Sequence, residues 1–302
     1  MAEPKLHHHL PQSYQGGFCQ DGRLWVFDRS TGRFRRDKPK NVGAITHDYT
    51  IDQNGVKDTR AEKLLFARVD GGAVPIIAKL RRRERLTADE RQTFAWYVAS
   101  FAVRIPRFRR WVDEHETARR KLFDRQHLKS PAQLQELIDR SDLSEADRAE
   151  ANAELMYEML KSEQYSVTLN HNYQVRLVVE TLGEMQPRIH DLHWVVAHAS
   201  AGAQFVTSDN PVVEADSGAF LTFPISSDAA LLLIPTTEDT VRIAHKDMPD
   251  DMVHMTNVET ARASERIVLA RDGAYLKRVI ADAGIDGPAG PLIDIGSPPA
   301  YS

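Results

Sequence analysis

Two polar clusters lie far apart in the sequence and carry the side chains best suited to chemistry. Residues 7–14 read His-His-His-Leu-Pro-Gln-Ser-Tyr, and residues 207–211 read Thr-Ser-Asp-Asn-Pro. Histidine serves as a general acid or base near neutral pH, or as a metal ligand. An aspartate beside it can orient the imidazole or hold a divalent ion. We therefore expect the two clusters to pack against each other and to form one polar site.

These clusters and two basic segments supply the candidate site residues. The candidate catalytic residues are His7, His8, Asp209 and Asn210, and the candidate substrate-binding residues are Gln12, Tyr14, Lys40, Arg107 and Ser208. In this hypothesis His8 is the general acid or base, and Asp209 orients it or binds a metal. Lys40 and Arg107 hold phosphate oxygens. The candidate cofactor is a divalent metal ion, and the sequence leaves open whether one is needed.

A structural interpretation of the same residues stays open beside the chemical one. A histidine whose ring bonds to a backbone carbonyl needs no further role. Serine, aspartate and asparagine also form turns and helix caps through bonds to nearby backbone. An enzyme requires His8 and Asp209 within hydrogen-bond reach, directly or through one water, whereas a binding protein does not.

Other arrangements of reactive side chains give weaker signals. His190 and His193 are three residues apart, but no matching ligand pair follows them, so a zinc site is disfavoured. Arg120 and His127 match a spacing found in some helical ribonucleases, but it is loose enough to arise by accident. Cys19, the single cysteine, is interpreted as a small packed residue rather than a nucleophile. Glycine-rich phosphate loops and the Gly-x-Ser-x-Gly pattern are absent, which disfavours nucleotide-dependent transfer and serine-hydrolase chemistry.

Composition indicates an ordinary globular protein. Of 302 residues, 42% are hydrophobic and 27% charged, which is sufficient for a sizeable core. The sequence shows neither a secretory leader nor an apolar run long enough for a bilayer. One cysteine suits a reducing compartment, and we expect a cytoplasmic location.

Charge is distributed unevenly along the chain, although the net charge is only −4. Residues 23–40 hold seven Lys or Arg against two Asp, and residues 79–125 hold fourteen against seven acidic residues. Such segments can form a positive surface that binds nucleic acid or another phosphate-containing ligand. Alternatively, they are solvated helix faces whose charges pair locally.

The pattern of elements predicts an α+β protein. Residues 23–36 read as a hairpin, and residues 86–104 read as a capped helix with Phe94, Tyr97, Val98 and Phe101 on one face. Helices are predicted at 59–69 and 74–83, separated by Gly71-Gly72, and at 163–185. Beyond Pro187 the pattern is that of strands. We expect one domain over residues 1–302, with strands from both ends in a common sheet and a helical middle region at 86–186.

Several segments resemble, in order, those of the bacterial domain-of-unknown-function 4238 family. They are His7 to Phe18, Leu24 to Asp28, Pro39 to Val42, Arg104 to Phe108, Phe205 to Pro211, Phe223 to Ser226, and Asn257 with Arg266 to Val268. The match spans nearly the whole chain and is poorest between Leu128 and Glu163. The resemblance implies a shared fold, and the family name brings no activity.

Two hypotheses for function follow from the sequence. The first is a cytosolic phosphodiester hydrolase of the nuclease kind, using a His/Asp/Asn site. The second is a non-catalytic binding or regulatory module for nucleic acid, a peptide or a small anion. The sequence does not determine the substrate or the oligomeric state.

Overall fold

The computed structural model describes residues 6–8, 10–46, 51–53, 56–58, 68–215, 219–236 and 243–285 of the chain. The strands are β1 (Leu6–His8), β2 (Leu24–Asp28), β3 (Arg33–Asp37), β4 (Ala44–Thr46), β5 (Ile51–Gln53), β6 (Val56–Asp58), β7 (His193–Ala199), β8 (Thr207–Ser208), β9 (Val213–Ala215), β10 (Phe220–Ser226), β11 (Ala229–Ile234), β12 (Ile243–Met248) and β13 (Ile267–Ala270). The helices are α1 (Gln12–Gly16), the 3-10 helix η1 (Pro39–Asn41), α2 (Arg68–Arg81), α3 (Ala88–Val103), α4 (Pro106–His127), α5 (Pro131–Asp139), α6 (Glu145–Glu150), α7 (Ala153–Ser162), α8 (His171–Asp191), α9 (Asp250–Arg262) and α10 (Gly273–Ala283).

A four-stranded antiparallel sheet joins the two ends of the chain. Its strand order is β3-β2-β13-β8, so the N-terminal hairpin pairs directly with a strand that begins at Ile267. One face packs on α9 and α10 through Phe27, Val268 and Leu276, all fully buried. The prediction of an α+β fold in which strands from both ends share a sheet is confirmed.

A second sheet has five strands in the order β12-β7-β11-β10-β9. Its pairs are antiparallel except β12 with β7, which run parallel. Trp194 on β7 is fully buried, and its ring lies 5.9 Å from that of Phe94 on α3. The two-stranded pairs β1-β4 and β5-β6 complete the described strands.

Helix α3 follows its sequence pattern closely. Thr87 accepts a hydrogen bond from the backbone N–H of Glu90, whose side chain accepts one from the N–H of Thr87. This capping box satisfies amides that the first turn leaves unpaired. The four predicted core residues, Phe94, Tyr97, Val98 and Phe101, are all buried. The prediction for this helix is confirmed.

Two predicted helix boundaries are wrong. Gly71-Gly72 does not break α2, which runs without interruption from Arg68 to Arg81. A Cβ at Gly72 would lie 3.1 Å from Thr93 Cγ2, so glycine permits close approach to α3 rather than ending the helix. Helix α8 likewise continues past Pro187 to Asp191, because buried Met185 and Ile189 hold the turn despite the missing amide proton.

Contacts divide the chain into two compact units. The sheet unit comprises Met1–Arg107 with Val175–Ser302, and the helical unit comprises Phe108–Gln174. The helical unit has a small core of Leu128, Leu134, Ile138 and Ala153. The assignment of residues 1–302 to one domain stays a prediction. Within the described residues no helix combines the length and apolar character needed to cross a bilayer.

Candidate functional site

Tyr14 joins the two polar clusters. Its hydroxyl lies 2.6 Å from Thr207 Oγ1 on β8 and donates to the carbonyl of Pro224 on β10 at 2.7 Å. Because the phenol has one proton, Thr207 must be the donor in the other bond. Tyr14 therefore links β8, an edge strand of the four-stranded sheet, to β10 of the five-stranded sheet. The predicted packing of the first cluster against the second is confirmed at this pair.

An aromatic and ionic core surrounds Tyr14. The ring of Tyr14 stacks on Phe223 at 5.5 Å and lies 4.7 Å from Phe101. Burial raises the pKa of Tyr14, while the hydrogen bond from Thr207 acts in the opposite direction. The hydroxyl therefore stays protonated at neutral pH, as its donation to Pro224 requires. Tyr14 is 1% exposed, so in this state its hydroxyl is withdrawn from solvent.

Arg104 and Asp70 form an ion pair that the sequence did not indicate. Arg104 Nη1 lies 2.9 Å from Asp70 Oδ1, and its side chain is 1% exposed. The guanidinium carbon also lies 3.9 Å from the ring centroid of Phe101. Burial raises the pKa of Asp70, and Arg104 partly offsets this effect. Arg104 lies in a segment singled out by the resemblance, but nothing in the sequence identified Asp70 as its partner.

Asp209 is bound to backbone amides. Its carboxylate accepts hydrogen bonds from the amides of Glu265 at 2.9 Å, Arg266 at 2.8 Å and Ile267 at 3.2 Å. Burial raises the pKa of Asp209 to about 6, although the three amides act to lower it. These bonds fix the turn that leads into β13. They support the turn interpretation of this cluster.

The neighbours of Asp209 are also bound locally. Asn210 Nδ2 donates to the carbonyl of Ala263 at 3.1 Å. Ser208 is fully buried, and its hydroxyl donates to the carbonyl of Asn210 while accepting from the Asn210 amide. In the second cluster, Asp209 and Asn210 therefore bond to the backbone of residues 263–267, and Ser208 bonds to the backbone of Asn210. Thr207 instead bonds to the Tyr14 hydroxyl.

The first cluster lies beside a basic segment. The backbones of His7 and His8 pair with Ile45 and Ala44 in β1-β4, and His9 lies outside the described residues. Gln12 is exposed at the start of α1, which packs against η1. Lys40, in η1, is exposed as well. The structure thus brings the segments of His8, Gln12 and Lys40 together.

Two further predictions concern Arg107 and a divalent metal ion. Arg107 is half-buried in the first turn of α4. Among the described residues, no group of three or more His, Cys, Asp or Glu side chains is arranged to hold a metal ion. The catalytic and substrate-binding roles assigned to the nine candidate residues stay predictions.

A histidine pair was also missed by sequence reasoning. His198 Nε2 lies 3.1 Å from His245 Nδ1, on the parallel strands β7 and β12. Burial and then Arg83 lower the pKa of both imidazoles. Arg83 is itself paired with Asp247. The pair depends on strand pairing across 47 residues, and each histidine alone reads as an ordinary strand residue.

A family model covers most of the chain. The model described as "Protein of unknown function (DUF4238)" matches residues 6–274. The chain belongs to this family. The resemblance noted from segments in the family's sequence order is thereby confirmed. Tyr14, Arg104 and Thr207 each lie in one of these segments. Searches of curated proteins and of solved structures find no significant match.

Proposed function

We propose that this family member is a non-catalytic binding protein for nucleic acid, and that it binds through the basic hairpin, residues 21–40. The observation that carries the proposal is the position of β3 at the outer edge of the four-stranded sheet. Arg33, Arg35 and Arg36 on this strand are all exposed, and Lys38 and Lys40 continue the series. Cations along an exposed edge suit a ligand with regularly spaced phosphates.

The hairpin carries more positively than negatively charged side chains. It holds seven Lys or Arg and three Asp, an excess of four cations. Arg35 lies 3.6 Å from Asp28 and 3.4 Å from Asp37, and Arg36 lies 3.7 Å from Asp21. In contrast, neither Arg33 nor Lys38 forms an ion pair within the described part of the chain. These two side chains are therefore available to phosphate.

The strand that presents these cations is held firmly. Phe34, between Arg33 and Arg35, packs on the core beside α10, and its ring lies 4.8 Å from that of Phe27. Lys277 Nζ also lies over the Phe34 ring, 5.7 Å from its centroid. A fixed strand loses little backbone entropy when its side chains meet a ligand.

Other basic segments support the binding hypothesis less well. Arg81 pairs with Asp228, Arg82 with Glu84, and Arg119 with Glu116. These pairs follow the alternative in which charges are neutralised locally. The hairpin is therefore the better candidate among the basic segments.

Hydrolysis is supported less well than binding. The carboxylate of Asp209 and the amide of Asn210 already bond to backbone, so each would have to leave a buried partner to act on a substrate. The predicted general acid or base, His8, would then lack its orienting group. Binding without cleavage needs no such rearrangement.

The test compares two double variants of the full chain. Fluorescence anisotropy with labelled single-stranded RNA of about 20 nucleotides reports binding at low salt. Arg33→Ala with Lys38→Ala should weaken binding by about tenfold or more, because two charge-assisted contacts are lost. The matched control, Arg85→Ala with Lys246→Ala, removes two exposed cations outside the hairpin and should bind like the wild type. Equal weakening by both pairs would contradict the hairpin site, and absence of wild-type binding would contradict the function.

A further inference from the structure

We propose that the helical unit contains a second binding site, specific for a small phosphorylated metabolite that carries hydroxyl groups. A cleft of about 210 Å³ lies between the C-terminal half of α4 and helix α7. Ligand sites for drug-sized molecules occupy roughly 300–1,000 Å³, so this cleft suits a smaller molecule rather than a polymer. All its lining residues belong to the helical unit.

Cations dominate the walls of the cleft. It is lined by Lys121, Arg125, Lys129 and Lys161. These four cations differ in how closely a carboxylate approaches them. Arg125 lies 2.9 Å from Glu163, whereas Lys161 is 3.8 Å from Glu158. Within the described residues Lys121 and Lys129 have no carboxylate at ion-pair distance. Two to three positive charges are thus available to a ligand.

Lys121 and Lys129 are positioned by neighbouring groups. Lys129 Nζ donates to the carbonyl of Arg125 at 2.8 Å, which leaves two further protons for a ligand. Lys121 Nζ lies 5.4 Å from the ring centroid of Tyr165. A phosphate monoester, with its two negative charges and several acceptor oxygens, matches two such ammonium groups.

A buried carboxylate gives the cleft a second kind of contact. Asp124 lines the cleft, is 4% exposed, and its Oδ2 accepts from Tyr165 at 2.7 Å and from Arg120 Nε at 3.1 Å. Burial, then Asp124, raises the pKa of Tyr165 to about 12, so the phenol remains a donor. The other carboxylate oxygen, Asp124 Oδ1, lies 3.0 Å from Arg120 Nε but receives no aligned hydrogen bond among the described residues. A buried acceptor of this kind favours a ligand hydroxyl.

Apolar side chains complete the cleft. Leu128, which is almost fully buried, and Leu160, which is half-buried, line it. Tyr157 donates its hydroxyl to the carbonyl of Lys129 at 3.1 Å, so its ring is held beside the lysine. The combination of lysines, an acceptor and a short apolar surface fits a sugar phosphate. Inorganic phosphate would use only the lysines.

Isothermal titration of the full chain with ribose 5-phosphate, and separately with inorganic phosphate, tests this site. Ribose 5-phosphate should bind with a Kd of about 1 mM or tighter, and more tightly than inorganic phosphate. Lys121→Ala with Lys129→Ala should raise the Kd for ribose 5-phosphate by about tenfold. Lys246→Ala, an exposed control on β12, should leave the Kd unchanged. Thermal melting checks that each variant is folded.

Three results would overturn the proposal. They are no binding of ribose 5-phosphate by the wild type, equal weakening by the control variant, and equal affinity for both probes. The last would remove the role of Asp124 and the assigned ligand class. The site is independent of the basic hairpin, so Arg33→Ala with Lys38→Ala should not change ribose 5-phosphate binding.

Discussion

The hydroxyl of Tyr14 lies 2.6 Å from Oγ1 of Thr207, across 193 residues of sequence. The same hydroxyl donates to Pro224, so one side chain near the N-terminus ties β8 of one sheet to β10 of the other. The two sheets share this polar contact inside an aromatic core. Tyr14 is therefore a structural link between the two sheets, and its role in substrate binding stays a prediction.

Tyr14→Phe should lower the free energy of unfolding by about 1–3 kcal/mol, because Thr207 and Pro224 lose a buried partner. Urea denaturation followed by circular dichroism measures the loss. Tyr157→Phe is the matched control, since its hydroxyl bond is exposed and should contribute less. Equal losses in the two variants would contradict the linking role.

Phe101→Ala should destabilise the protein by about 3–5 kcal/mol, as expected for a fully buried phenylalanine. The substitution removes contacts with Tyr14 and Phe223 and takes away the ring beneath Arg104. Thermal and urea denaturation provide the measurement. Phe123→Ala, at a site that is 48% exposed, should change stability little by comparison. A negligible loss for Phe101→Ala would mean that the buried face of α3 is misassigned.

The titration of Asp209 predicts a specific dependence of stability on pH. Its native pKa of about 6 lies above the usual value of 3.8, so the native state binds more protons than the unfolded state between these values. The contribution of Asp209 to the unfolding free energy therefore falls as pH rises from about 4 to 6 and is constant above that range.

Asp209→Asn isolates this effect, because asparagine does not titrate. The stability of the wild type minus that of the variant should decrease between about pH 4 and pH 7, by on the order of 3 kcal/mol at most. Urea denaturation at intervals across this range gives the difference. A difference that increases with pH would mean that the three backbone amides outweigh burial.

The binding hypothesis predicts that bound RNA stays intact. Labelled single-stranded RNA incubated with the full chain should keep its length, with either Mg²⁺ or EDTA present. Denaturing gel electrophoresis detects any cleavage. Cleavage that disappears in His8→Ala but persists in Lys246→Ala would instead support the hydrolase hypothesis and the catalytic role of His8.

Local patterns in the sequence predicted the local structure and part of the assembly. The capping box at Thr87 and the spacing of Phe94 to Phe101 depend only on neighbours in one helix, and both are present. The N- and C-terminal strands also meet as expected. The predicted helix break at Gly71-Gly72 and the predicted helix end before Pro187 are wrong because packing against other elements outweighs the local preference.

The polar contacts were harder to predict because they depend on tertiary position. Asp209 and Asn210 have the same identities whether they serve a substrate or the backbone, and only the position of residues 263–267 distinguishes the two. The pairs Arg104–Asp70 and His198–His245 require helix and strand packing that no spacing encodes. For the same reason, the excess charge of the hairpin was visible in the sequence, but its position on an exposed edge was not.

The salt dependence of RNA binding tests the central claim most directly. Anisotropy titrations of single-stranded RNA are carried out between about 50 and 200 mM salt, with the wild type and with Arg33→Ala plus Lys38→Ala. We predict a linear fall of log K with log salt, and a slope that the double variant reduces by about 1.4, since each contact to a single strand contributes about 0.7. A wild-type affinity that does not change with salt, or a slope that the double variant leaves unchanged, would contradict nucleic-acid binding by the basic hairpin.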